Sequence, residues 1–208
     1  SGCVTSISSF PYSDYFELGL TNWINDPLND FNWAINSGGT PSSGTGPNSA
    51  YEGVNYVYTE ATSNNPFKRA GIISPCLNLS AYSNPVLHFW YHMYDNPSGG
   101  PQLTQDQGSF SVDISIDNGV SWTNDIWIRS GSQGNQWLEA AVDLSNYNAT
   151  EVLVRLRVIT GDSWQSDVAV DMLSFLGGPV SPNGVVLPIV ADSGLHTFIY
   201  NIQGCFDT

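Results

Sequence analysis

From residue 109 to residue 117 the chain reads Ser-Phe-Ser-Val-Asp-Ile-Ser-Ile-Asp, apolar and polar side chains in strict alternation. A period of two puts Phe110, Val112, Ile114 and Ile116 on one face of an extended strand, which a helix cannot do. The same period returns at Asp167–Ser174, with Val168, Val170 and Met172 on one face. Glu151–Thr160 reads as a longer strand in which Arg155 and Arg157 share a polar-leaning face. Val86–Tyr94 is almost continuously apolar or aromatic, the pattern of a central strand covered on both sides. Further strands are predicted at Tyr12–Leu18, Asn55–Glu60, Lys68–Ile73, Trp122–Arg129 and Trp137–Leu144. No segment of about ten residues or more carries a helical period. About nine or ten strands punctuated by Gly, Pro and Asn turns imply an all-β sandwich or barrel.

Two stretches break the pattern. Ser37–Asn48, rich in Gly, Pro and Ser, is a loop. Gly177–Pro188 holds three glycines and three prolines and marks the end of the domain. The expected organisation is therefore a domain over 1–177, a Pro/Gly linker over 178–188 and an extension over 189–208. The extension is either one added strand (His196–Ile202) or the start of another module. The opening Ser1-Gly2-Cys3 suggests a mature or excised segment of something longer.

Charge narrows the partners. Five Lys and Arg stand against nineteen Asp and Glu in 208 residues, so no basic patch exists to neutralise phosphates and nucleic acid is excluded as a partner. An aromatic content of 12% is too high for a disordered acidic tail. No apolar run approaches the roughly 20 residues that span a bilayer. Cys3, Cys76 and Cys205 allow one disulfide and no Cys-x-x-Cys chemistry; their wide spacing in an acidic, turn-rich chain favours a secreted or cell-surface setting. The expected pair is Cys3–Cys76, tying the segment before the first strand to a strand end. It would close a loop of about 74 residues, worth roughly 4 kcal/mol in the chain-entropy model. Cys205 is then the odd thiol.

The motifs that resemble chemistry fail in detail. His88 and His92 would share a zinc on a helix, but on a strand they sit roughly 13 Å apart, whereas zinc holds each nitrogen at about 2 Å. Gly161-Asp-Ser-Trp-Gln165 lacks the second glycine of a nucleophile elbow. The five Glu (17, 52, 60, 139, 151) form no glycosidase strand motif. Asp113 and Asp117 share a strand face and read as solvated. Ser115-Ile-Asp117-Asn-Gly119-Val-Ser-Trp122 fits the Asp-box pattern Ser-x-Asp-x-Gly-x-x-Trp, a hairpin stabiliser whose Asn and Gly tolerate positive φ.

A series of short motifs then runs in order: Phe16-Glu17, Asn22-Trp23, Asn29-Asp30-Phe31-Asn32-Trp33, Gly39-Thr40-Pro41-Ser42, Thr45-Gly46-Pro47, Tyr56-Val-Tyr58-Thr-Glu60-Ala61 and Ile73-Ser74-Pro75. Leu87-His-Phe89-Trp-Tyr91-His92-Met93-Tyr94, Gly131-Ser-Gln133-Gly134-Asn-Gln-Trp137 and Ser166-Asp167-Val-Ala169-Val-Asp171 complete it. The series, over about residues 15–176, resembles the MAM domain, the extracellular module of meprins, neuropilins and mu-type receptor phosphatases. The chain departs from the four cysteines typical of the animal members, and its segment Asn96–Gln107 is longer and more polar than the usual turn. With the Asp-box hairpin and the Phe10-Pro11-Tyr12 lead-in, it looks like a bacterial secreted version. The resemblance implies a jelly-roll β-sandwich of two antiparallel sheets, a non-catalytic adhesion or interaction role, and a structural cation.

The residues give that cation a physical rationale. Asp171 lies in an apolar closing strand, where a carboxylate is costly unless paired or metal-bound, and the chain has few cationic side chains to pair it. Calcium takes carboxylate and carbonyl oxygens from distant segments. Glu17 and Asp171 are the expected ligands, with Asp30 as a third; the competing arrangement is a carboxylate bonded to backbone N–H groups. The leading expectation is an interaction module that is not an enzyme, engaging neighbouring domains of its own chain, another extracellular protein or a glycan. The alternative is a carbohydrate-binding module attached to a glycan-active enzyme, with Trp164 as its exposed aromatic.

Overall fold

A computed structural model describes residues 6–96 and 107–177. Among the described residues there are eleven strands and no α-helix. They are β1 (Tyr12–Asp14), β2 (Ile24–Asn25), β3 (Ala34–Ser37), β4 (Asn55–Thr59), β5 (Arg69–Ile73), β6 (Val86–Met93), β7 (Ser109–Ser115), β8 (Thr123–Ser130), β9 (Leu138–Asp143), β10 (Leu153–Ile159) and β11 (Val168–Leu176). Two antiparallel sheets result: a larger one in the order β3-β4-β11-β6-β9, with β1 also on β11, and a smaller one in the order β2-β5-β10-β7-β8. The architecture is the expected jelly-roll sandwich.

The alternation seen in the sequence becomes the core. Phe110, Val112 and Ile114 of β7 and Val154, Leu156 and Val158 of β10 point inward from the smaller sheet. Leu87, Phe89 and Tyr91 of β6 and Val168, Val170 and Phe175 of β11 meet them from the larger one. The ring of Phe89 packs edge-on against Phe110 and Trp127, with centroids 5.8 and 5.4 Å away, so the sheets interdigitate through aromatics as well as branched aliphatics.

β11 organises the larger sheet. One edge pairs with β6 along its length, broken between Asp171 and Ser174. The other edge pairs with β4 at Val168–Val170, then with β1 at Leu173–Phe175. The change of partner falls at Asp171–Met172, and Met172 adopts φ 47° there. Beside this irregularity the backbone of the segment 51–55 donates to Asp171 and Glu17.

Besides the exposure of Ile116 beyond the end of β7 and the shift that puts Leu173 rather than Met172 in the core, the structure departs from the sequence reading in four places. The strand expected over Tyr12–Leu18 stops at Asp14, because the Asp14 carboxylate accepts the Phe16 N–H at 3.0 Å and Phe16 turns to φ 59°, dropping its ring into the core. β2 and β3 are not expected from the sequence; Asn25 clamps both the N–H and the C=O of Trp33, at 2.9 and 3.2 Å, which holds the two strands beside the buried Trp33. β6 is not covered on both faces, since Val86, His88 and Trp90 stay half-buried on the side away from the core. Asp113 is not solvated: it is fully buried and pairs with arginines of β10. Of the segment Asn96–Gln107, only its two end residues fall within the described part of the chain, and the linker, the 189–208 extension and its strand lie outside the described residues.

Candidate functional site

The expected metal ligands do not meet as one group. The Oε1 atom of Glu17 accepts N–H groups from Val54 and Asn55 at 2.8 and 2.9 Å. The Oδ2 atom of Asp171 accepts those of Tyr51 and Glu52 at 2.9 and 3.0 Å, and Oδ1 accepts that of Met172 at 2.7 Å. Both carboxylates thus bind the segment 51–55 beside the β11 irregularity. Gly53 has φ +65°, and a Cβ there would lie 2.3 Å from Glu17 Oε1, so this close approach requires glycine. Asp30 stands beside the start of β5, where Oδ2 accepts the Arg69 N–H at 2.8 Å. The segment offers N–H donors to Glu17 and Asp171 where a cation needs oxygens, so this pair does not fit a calcium ion as arranged. Burial pushes the Asp171 carboxyl up to about 6, against the lowering effect of its N–H partners. Among the described residues no three His, Cys, Asp or Glu side chains form a metal-holding group.

The larger sheet turns an aromatic surface outward. On β6 the side chains opposite the core are His88, Trp90 and His92. Trp90 lies beside Asp171 of β11 and Glu139 of β9 in register. Tyr51 stacks on Trp90 with centroids 3.9 Å apart and rings 12° from parallel. Trp137 closes one side, 6.3 Å from Tyr51, and its indole N–H donates to Ser49 O at 3.1 Å. Tyr51 is 41% exposed. His88 pairs with Glu139 at 2.5 Å, and His92, buried, shares a hydrogen bond with Asn135 at 3.2 Å. Burial holds the His92 imidazole down at about 4, so it is neutral at physiological pH. The sequence reading rejects zinc binding by His88 and His92 on strand spacing, takes both as structural, and misses Trp90 between them, although the same period of two places all three on one face. Trp164, in the β10–β11 connection, is 40% exposed and makes no ring contact among the described residues.

On the outside of the smaller sheet, charge is locked rather than displayed. Asp113 of β7 pairs with Arg155 at 2.8 Å and Arg157 at 2.7 Å, and Arg155 also reaches Asp26 at 3.2 Å. Arg155 lies over the Trp122 ring at 4.1 Å, which joins the network to the Asp-box hairpin. In that hairpin Asp117 Oδ1 accepts the Ser121 N–H at 2.9 Å and the Ser115 hydroxyl at 2.7 Å. Burial would raise the Asp113 carboxyl, but the hydrogen bonds from Arg157, the Asp125 N–H and Arg155, with the charge of Arg157, outweigh it and hold it below the usual carboxylate range. Cys76, at the rim beyond β5, is disulfide-bonded; both Cys3 and Cys205 lie outside the described residues.

A sandwich whose polar networks brace its strands, with one aromatic face exposed among the described residues, has the form of a β-jelly-roll module. The family model for the MAM domain, meprin/A5/mu, matches residues 15–179, and the chain belongs to that family, whose domains are extracellular interaction modules. Neuropilin-1a of Danio rerio is 32% identical over 185 residues, 83% of this chain and 19% of that protein. The chain thus spans about a fifth of the length of the curated relatives it matches. These relatives are vertebrate and lend no support to a bacterial origin. Among solved structures, the K1 cleaved adhesin domain of Lys-gingipain from Porphyromonas gingivalis W83 superposes with a TM-score of 0.54 at 18% identity, covering 80% of this chain and 98% of that one. TmCBM61 in complex with beta-1,4-galactotriose superposes at 0.51 and 13% identity, covering 78% and 93%. Both likenesses are of fold.

Proposed function

We propose that the chain is a non-catalytic interaction module of a secreted or cell-surface protein, engaging its partner through the open face of the larger sheet. The observation that carries this is the Tyr51–Trp90 stack flanked by Trp137, a half-exposed aromatic group held outside the core by the β6 alternation. Rigid aromatics presented on a sheet lose little entropy when covered, which is why they anchor interfaces. Another extracellular protein or a neighbouring domain is the first reading of the partner.

A glycan is the second reading, favoured by the same stack. A sugar ring presents an apolar face that packs on an aromatic plane, and Glu139 and His88 stand beside it as polar groups. TmCBM61, a protein of like fold, was solved with a galactotriose. The test is binding of the purified domain to arrays of extracellular proteins and of glycans, alongside Tyr51→Ala, Trp90→Ala and Trp164→Ala. Loss of binding in the first two, with melting temperatures preserved, supports the placement, and the array that responds names the partner class. Wild-type binding retained by Tyr51→Ala and Trp90→Ala but lost in Trp164→Ala moves the site to the β10–β11 connection. No binding to either array refutes the proposal.

A further inference from the structure

Charge is sorted between the two sheets. All five cationic side chains of the chain, Lys68, Arg69, Arg129, Arg155 and Arg157, lie on or beside β5, β8 and β10 of the smaller sheet. Arg69, Arg155 and Arg157 are tied down there by Asp26, Asp113 and Asp125. The six strands of the larger sheet hold no Lys or Arg, and neither do the segments 49–53 and 131–137, which bring Tyr51 and Trp137 to its outer face. Carboxylates stand around that face instead. Glu139 of β9, with its side chain 59% exposed, lies opposite Trp90 in register. Its Oε1 bonds to His88, its Oε2 has no partner among the described residues, and its charge reaches the Tyr51 hydroxyl. Glu52, exposed, follows Tyr51, and its charge reaches Asp171 beside Trp90.

An aromatic surface edged only by acid selects a cation. The face of a Tyr or Trp ring attracts a guanidinium or ammonium group within about 6 Å of its centroid. The smaller sheet makes this pairing twice from its own residues, with Arg155 over Trp122 at 4.1 Å and Arg129 over Trp127 at 4.7 Å. On the larger sheet, Tyr51 and Trp90 have no cationic neighbour of their own among the described residues, and Tyr51 remains 41% exposed although Trp90 covers one side of its ring. A net charge of −14 draws basic partners and repels nucleic acid, acidic glycans and a second copy of the chain alike. A neutral sugar makes no use of the carboxylate charge. We infer, on the reading that this face is the contact surface, that its occupant is a basic segment of an extracellular protein. One arginine of that segment lies over the Tyr51 ring with its guanidinium paired to Glu139, and Glu52 draws a second basic residue. Arginine fits better than lysine, because its planar group stacks on a ring and forks onto a carboxylate at once.

The test is binding of the whole chain to labelled peptides of one length that carry arginine, lysine, glutamine or glutamate in a common Gly-Ser frame, read by fluorescence anisotropy. The arginine peptide should bind, the lysine peptide more weakly, and the glutamine and glutamate peptides not at all. Raising salt from about 0.1 M to about 1 M, which shortens the screening length from about 10 to about 3 Å, should weaken the arginine peptide. Glu139→Gln should weaken it about fivefold. Tyr51→Leu, which keeps apolar bulk but has no ring, should weaken it about tenfold, and Tyr51→Phe should bind as wild type does. Glu151→Gln removes the same charge from an exposed position just before β10 and should leave the affinity unchanged. Glu139 is exposed on an edge strand, so Glu139→Gln reports the site even if Tyr51→Leu lowers the melting temperature. No binding of the arginine peptide by wild type overturns the inference, and so do equal affinities for the arginine and glutamine peptides or equal losses in Glu139→Gln and Glu151→Gln. The face itself is judged separately by the arrays: a protein or neutral glycan that needs Tyr51 and Trp90 but is indifferent to salt and to Glu139→Gln keeps the face as the contact surface and overturns the basic partner.

Discussion

Replacing Asp113 by asparagine tests whether the outer network of the smaller sheet holds the fold. The side chain is fully buried, with Arg155 at 2.8 Å and Arg157 at 2.7 Å. The amide would keep the shape and one acceptor oxygen but leave two nearly buried guanidinium groups short of a counter-charge. Breaking one member out of a buried pair costs about 3–5 kcal/mol. Arg155 retains Asp26 and Arg157 retains Asp125, which places the cost near the lower end, about 3 kcal/mol. For a domain of this size that is a fall in Tm of roughly 6–12 °C. Urea unfolding should show a lower midpoint with an unchanged slope, the signature of lost stability rather than altered compactness. The acid limb should change too. Asp113 has a folded pKa below its unfolded value, so its contribution is present above the unfolded value and is lost as pH falls through the folded one. Asp113→Asn should flatten that loss. A cost within about 0.5 kcal/mol, as for a solvated surface position, would refute the assignment of Asp113 to a buried network.

Two further outcomes are expected. Asp167 and Asp171 have folded pKa values raised to about 7 and about 6, so the domain should gain stability as pH falls from about 8 toward about 5, about 3 kcal/mol for Asp167 taken alone; a flat or falling Tm over that range in the wild-type chain counts against their burial. Non-reducing peptide mapping should recover a Cys3–Cys76 peptide, and Cys76→Ser should lower stability by roughly 4 kcal/mol; a Cys76–Cys205 peptide would reassign the pair.

Much of the sandwich is legible in the sequence because period-two alternation over five or more residues has one physical meaning. β6, β7, β10 and β11 fall within two residues of their expected bounds. β2 and β3 are not legible, since two to four residues carry no period and both depend on the Asn25–Trp33 clamp. The pairing of the first strand with the last follows from the jelly-roll plan, and it brings Glu17 and Asp171 to one segment. Whether that segment meets them with N–H or C=O groups depends on backbone orientation, which side-chain pattern does not encode. Asp113 is misread because a polar residue on the outer face of a strand is solvated by default. Its partners sit some forty positions away, on a strand whose place beside β7 is not written in either segment. Trp90 is readable in the His88–His92 alternation, where a metal reading weighs the two histidines and not the ring between them.

The place of β11 between β6 on one side and β4 and β1 on the other has a consequence for how the chain is made. Ser13 and Ser174, paired across the β1–β11 contact, are 161 residues apart. At a synthesis rate of about 5–20 residues per second, roughly 10–30 s separate the emergence of the two. β1 waits through that interval, and β4 and β6 through its later part, with bare edges, and the aromatic underside of β6 faces water. Bare edges recruit other chains, and loop closure over such a span is slow. The ribosome-bound chain is therefore the most vulnerable form of this molecule. Folding yield should depend more on what shields β4 and β6 during translation than on the stability of the finished sandwich.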